Sequence, residues 1–146
     1  MVTIYVDADA CPVKEETVRV AERHNTPVHM VSDGGIRPHR SPWVTVSIVA
    51  QGPDAADDWI AERAKLGDIV ITNDIPLADR CIKAGARVVR PNGETLTPDS
   101  IGMTLATRNL MTGLRETGVI TGGGRAFSKA DRSRFLQALD AAVVQS

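Results

Sequence analysis

The chain is 146 residues long, 42% hydrophobic and 24% charged, with a formal net charge of −1 and two cysteines. That length predicts one domain over residues 1–146 with enough chain for a good core, and the near-neutral balance excludes a strongly basic binder that coats nucleic acid by its overall field. The apolar runs are too short for a membrane span, no basic-then-apolar leader opens the chain, and the isolated Cys11 and Cys81 fit a reducing cytoplasm.

Val2, Ile4 and Val6 predict a short buried strand that runs straight into Asp7 and Asp9, and Pro12 suits the first position of a helix over residues 13–25. Asp7 and Asp9 therefore fall on a strand-to-helix turn at the carboxyl end of a strand, the place where open α/β sheets bind ligands. Pro27 leads into a second strand at 28–31. Residues 33–42, with Asp33-Gly34-Gly35 and two prolines, show no period, and the path from the second strand to the third stays open. Residues 44–49 alternate as a third strand. Gly52-Pro53 opens a helix over 54–66, closed by Gly67, and a fourth strand at 68–72 runs into Asn73-Asp74. Ile75-Pro76 starts a further helix to residue 83 or 84, with Gly85 as its stop, and residues 86–90 form a fifth strand. The last third reads as helix from Pro98 to about residue 115, a Gly-rich turn at 118–124, and a helix over 128–144 whose start Ser128 and Asp131 cap. Strands alternating with helices predict a mostly parallel central sheet of about five strands flanked by helices.

Four acids stand out. On a helical wheel of about 100° per residue, Asp57 falls on the arc of Ala56, Ile60, Ala61 and Ala64 that should face the sheet, whereas Asp58 lies on the wet side. Asp54 suits the N-cap of that helix, and a first-turn acid such as Asp57 is also favoured by the helix dipole. Asp74 repeats the pattern of Asp7, an acid between a buried strand and a proline-started helix, although capping is a common use of aspartate there. Asp79 reads as a solvated residue. Two carboxylates about 4 Å apart repel by roughly 4 kcal/mol at an effective dielectric near 20, so converging acids call for a cation. With oxygen ligands and no histidine or cysteine, that cation is Mg²⁺ or Mn²⁺ ahead of zinc, and the chemistry it suits is phosphodiester cleavage by an activated water.

Val6-Asp7-Ala8-Asp9-Ala10-Cys11-Pro12, the Gly52-x-Asp54-x-Ala56-Asp57 run, Thr72-x-Asp74-Ile75-Pro76-Leu77-Ala78 and Thr121-Gly122-Gly123 resemble the bacterial YaiI/YqxD family over nearly the whole chain. That family is similar to PIN-like domains, metal-dependent nucleases with acids at the carboxyl edge of a parallel sheet in a three-layer fold. The resemblance implies a single PIN-like domain with Asp7, Asp9, Asp57 and Asp74 as catalytic and metal-binding residues, and with Asp54 and Thr72 in the same motifs. PIN nucleases carry a further acid between the first strand and the later helix; Asp33 is the candidate here, and Asp9 compensates. The implied partner is nucleic acid, RNA ahead of DNA. Arg37 and Arg40, beside His39, and Arg125, Lys129 and Arg132, beside Arg134, supply positive charge for its backbone, and Gly122-Gly123-Gly124 before a helix offers N–H groups to a phosphate. Surface arginines and glycine loops are also common without any such role.

Two rival readings use the same residues. Asp7-x-Asp9 after a strand resembles the haloacid-dehalogenase phosphatase motif, with Asp7 as nucleophile and Lys65 or Lys83 as the required lysine. A non-catalytic PIN-like module that binds RNA is the other. Cys11 is a poor nucleophile beside two carboxylates.

Overall fold

The computed structural model describes residues 2–8, 11–32, 41–49, 55–102 and 128–145. In chain order they form β1 (Ile4–Asp7), α1 (Lys14–His24), β2 (Val28–Ser32), β3 (Val44–Ile48), α2 (Ala55–Arg63), β4 (Ile69–Ile71), α3 (Ile75–Lys83), β5 (Arg87–Val89), β6 (Thr95–Leu96) and α4 (Lys129–Val144). Residues 98–102 are also helical. The starts expected at Gly52-Pro53 and Asp54, the connection at 33–40, and the helix and Gly-rich turn across 103–127 lie outside the described residues.

The strands make one six-stranded sheet in the order β3-β2-β1-β4-β5-β6. All neighbours are parallel except β6, which pairs antiparallel with β5 through Val88↔Leu96 and Val89↔Thr95. The sequence leads to about five strands; the sixth has two residues, too few to show a period of two.

Strand alternation sorts side chains onto two faces. Ile4, Val6, Val28, Met30, Ile69, Ile71 and Val89 pack with α1 and with Phe135, Leu139 and Val143 of α4. Tyr5, Val31, Val70 and Val88 pack with Ala56 and Ile60 of α2 and with Leu77, Ala78 and Cys81 of α3. The result is a three-layer PIN-like α/β fold, with each central strand buried from both sides, as parallel sheets require. No helix among the described residues is long and apolar enough to cross a membrane.

Local chemistry sets the ends of these elements. Asn25, at φ +52°, closes α1, and its N–H donates to the Ala21 and Glu22 carbonyls, a left-handed role asparagine tolerates. Ser128 and Asp131 form the expected capping box at the start of α4. Asp79 departs from its reading as a solvated residue: its side chain is only 20% exposed and pairs with Lys83 at 2.8 Å, one helical turn along α3.

Long-range contacts then fix the outer layers. Asp140 Oδ1 of α4 lies 2.6 Å from His24 Nε2 and 3.2 Å from Arg23 of α1. On the opposite face Tyr5 stacks on its strand neighbour His29 at 5.5 Å, Trp59 of α2 meets Tyr5 edge-on at 6.0 Å, and the Arg63 guanidinium sits 4.1 Å over the Trp59 ring. Burial, reinforced by the Arg63 charge, lowers the pKa of His29 below its ordinary 6.5. The unfolded chain therefore binds more protons than the folded one in the interval just below 6.5, and stability rises with pH there.

Gly93 closes the turn after β5 at φ +94°, and a Cβ added to it would lie 2.6 Å from the Arg134 backbone of α4. Gly93→Ala should lower the unfolding free energy by about 2 kcal/mol, measured by urea denaturation. The His29 contribution should be complete above about pH 6.5 and fade as pH falls below it. His29→Phe should flatten the urea midpoint between about pH 7.5 and pH 5 relative to the native protein.

Candidate functional site

The strand order reverses between β1 and β4. After β1 the chain builds β2 and β3 on one side, then crosses back to lay β4 on the other. The crevice at the carboxyl ends of β1 and β4 is thus the topological switch point of the sheet, where side loops diverge and leave room for a ligand. Asp7 is the last residue of β1, and Thr72 follows β4 one step beyond the Val6↔Ile71 pair. The register therefore sets these two side by side.

A hydrogen-bonded chain crosses the crevice. Thr72 Oγ1 donates to Asp7 Oδ2 at 3.2 Å and accepts the Asp74 N–H at 2.9 Å. Asp74 Oδ1 in turn accepts the Leu77 N–H at 3.0 Å as the N-cap of α3. Thr72 is buried, and the two aspartates are half-buried. The capping role read for Asp74 in the sequence is real, and it occupies one carboxylate oxygen; Oδ2 has no hydrogen-bond partner among the described residues. Capping and site membership are compatible because the cap fixes the carboxylate's direction.

Lys14 and Arg90 join this edge without having been singled out in the sequence. Lys14, the first residue of α1, reaches back to donate from Nζ to the Ala8 carbonyl at 3.1 Å. Arg90, directly after β5, donates from Nε to Asn73 at 3.2 Å and pairs with Glu94 at 3.0 Å. In the sequence Lys14 reads as helix surface and Arg90 as the end of a strand; only strand order shows that both share an edge with Asp7.

The remaining predicted residues distribute differently. Asp57 is half-buried in the first turn of α2, and its charge is felt by Arg80 and Cys81 of α3. Asp58 is exposed and pairs with Arg80 at 2.8 Å. Asp9, Asp33, Asp54, Arg37, Arg40 and Arg125 lie outside the described residues. Lys129 is exposed on the first turn of α4. Arg132 donates to the Pro12 carbonyl at 3.0 Å and to both Glu16 oxygens at 3.2 and 3.3 Å, so it ties α4 to the start of α1. Arg134 pairs with Asp131.

Cys11 lies beside Asp7 but is buried, and desolvation pushes its thiol up to about 11; burial likewise takes Cys81 to about 12. Neither is a thiolate near neutral pH. Lys65 follows α2 and Lys83 ends α3, ahead of β4 and β5. They therefore stand at the amino edge of the sheet, across from Asp7, and neither can serve a phosphatase nucleophile there.

Among the described residues no three His, Cys, Asp or Glu side chains gather closely enough to hold a metal. Asp7, Asp57 and Asp74 thus do not form such a trio. The oxygens of Asp7, Asp74 and Thr72 nevertheless suit a hard cation. Mg²⁺ keeps several waters and binds through one or two carboxylates plus substrate phosphates, without needing a protein cage.

A mostly parallel sheet with helices on both faces and aspartates at its switch point defines a three-layer, PIN-like α/β domain. The chain belongs to the YaiI/YqxD family, described as "Uncharacterized BCR", whose profile matches residues 5–145. A UPF0178 protein of Rhodopseudomonas palustris (strain TIE-1) is 64% identical over 140 residues, covering 96% of this chain and 89% of the relative. UPF0178 proteins of Bradyrhizobium diazoefficiens and Azorhizobium caulinodans are 61% and 59% identical, covering 94% and 99% of this chain and 82% and 91% of theirs. No solved structure matches the chain.

Thr72→Val should cost about 1–3 kcal/mol, because it strips a buried acceptor from the Asp74 N–H and a donor from Asp7; Thr72→Ser should restore most of it in the same denaturation assay. Arg132→Ala should lower stability by about 1 kcal/mol or less, since the side chain is 44% exposed and its charge partly screened.

Proposed function

We propose that this chain is a Mg²⁺- or Mn²⁺-dependent nuclease that hydrolyses nucleic-acid phosphodiesters, RNA ahead of DNA, at the carboxyl edge of β1 and β4. The observation that carries the reading is the Asp7–Thr72–Asp74 chain across the switch point. Asp7 and Asp74 would hold the cation, with Asp9 next in sequence to complete the donors. When bound, such an ion lowers the pKa of a water and neutralises charge on the phosphoryl oxygens.

The protein's own part is orientation. Thr72 fixes Asp7, and the Leu77 N–H fixes Asp74. Asp7 ends a strand and Asp74 caps a helix, which holds reacting groups in place without reordering at each turnover.

Asp74→Asn makes a clean test, since asparagine caps a helix about as well as aspartate. Thermal unfolding with Mn²⁺ or Mg²⁺ should show the native protein stabilised by roughly 2.7 kcal/mol at 100 times the dissociation constant, and both Asp74→Asn and Asp7→Asn should lose that gain. Metal-dependent cleavage of single-stranded RNA should disappear in the same variants. A native protein that ignores millimolar metal and leaves RNA intact would sink the proposal.

A further inference from the structure

A carboxylate-lined edge repels a polyanion, so a nuclease site needs fixed cations beside its acids, placed to meet the phosphate backbone. Arg132, one of the arginines the sequence offers for this, is engaged with Glu16 and the Pro12 carbonyl. Lys14 and Arg90 stand closer to the aspartates, and both are anchored.

Lys14 is half-buried, and its hydrogen bond to the Ala8 carbonyl uses one of three ammonium donors. Ala8 directly follows Asp7, and the Cys11 thiol feels both the Lys14 and the Asp7 charges. The ammonium is thus pinned at the end of β1. Arg90 is held at the end of β5 by Asn73, the neighbour of Asp74. Because β1, β4 and β5 are consecutive in the sheet and strands lie ~4.8 Å apart, the ends of β1 and β5 are ~10 Å apart, with the Asp7–Thr72–Asp74 chain between them.

The described aromatics offer no competing mode of binding. Phe135 and Tyr5 are buried, Trp59 is engaged with Tyr5 and Arg63, and Trp43 precedes β3 at the amino edge. None is placed to stack a base over the crevice.

We infer that Lys14 and Arg90 are the substrate-phosphate contacts of this edge, and that a single nucleic-acid strand lies across the carboxyl ends of β1, β4 and β5, gripped by its backbone without base readout. The inference rests on the nuclease reading and adds to it the two side chains that hold the substrate. Lys14 carries more of the grip, because Arg90 already shares its charge with Glu94.

The test is fluorescence anisotropy of a labelled single-stranded RNA in Ca²⁺ at several salt concentrations, alongside Mn²⁺-dependent cleavage and thermal shift. Lys14→Met should weaken binding about tenfold and reduce the log–log salt slope by about one. Arg90→Gln should weaken binding severalfold, and Lys14→Arg should keep the native slope. The Mn²⁺ thermal shift should survive in all three, which a general loss of the site would not allow. If the native protein binds and cleaves RNA while Lys14→Met and Arg90→Gln keep its affinity and slope, this inference is overturned and the nuclease reading stands. If Lys14→Met melts early yet keeps the slope, Lys14 is only a tie for the β1–α1 turn, which also overturns it. If the native protein shows neither metal shift nor RNA binding, the nuclease reading falls first and this inference with it.

Discussion

The structure depends on the parallel pairing of β1 with β4. Ile4, Val6, Ile69 and Ile71 face one core, while Tyr5 and Val70 face the other, and the four isoleucine and valine side chains of the first set are fully buried. Side chains of this size contribute about 1.5–3 kcal/mol each when buried, so the register between these strands is held from both faces. A slip of one residue would swap every side chain between the cores. The same register brings Thr72 beside Asp7. Packing in the core therefore sets the geometry of the edge, and the hydrogen bonds only finish it.

The helices reinforce that edge from outside. Asp74 is the N-cap of α3, so the helix start and the site share a residue, and the orphan N–H of Leu77 is satisfied by a carboxylate that also faces the crevice. α4 is bound to α1 at both ends of the layer: Arg132 to Glu16 and Pro12 near the site, and Asp140 to His24 and Arg23 at the far side. Gly93 lets the turn after β5 approach the α4 backbone closely. These contacts join residues more than a hundred positions apart in some cases and hold the last helix on the layer that α1 forms.

Charge at the edge follows a simple division. Asp7 ends β1 and Asp74 caps α3 just past β4, and Lys14 and Arg90 are anchored at the borders of the switch point through a carbonyl and an amide. On the proposed reading a hard cation and a phosphate would enter such an edge together, because each offsets the repulsion the other would meet alone. The buried cysteines, with thiols pushed to about 11 and about 12, belong to the cores and not to the chemistry.

The sequence by itself determined what is local. Short apolar, β-branched runs marked the five parallel strands, Pro76 marked a helix start, and Ser128 with Asp131 marked a cap, whereas Pro12 stands two residues ahead of α1 instead of at its first position; each signal spans only a few residues. It also placed Asp7 and Asp74 at strand ends, since an acid after an apolar run has few other positions. Only the tertiary structure decided that β1 and β4 are neighbours, because strand order is set by pairings between segments some 65 positions apart. From that order follow the bridging role of Thr72, the place of Lys14 and Arg90 at the same edge, and the structural employment of Arg132. None of these is encoded in spacing along the chain, and each follows from which elements the two cores bring together.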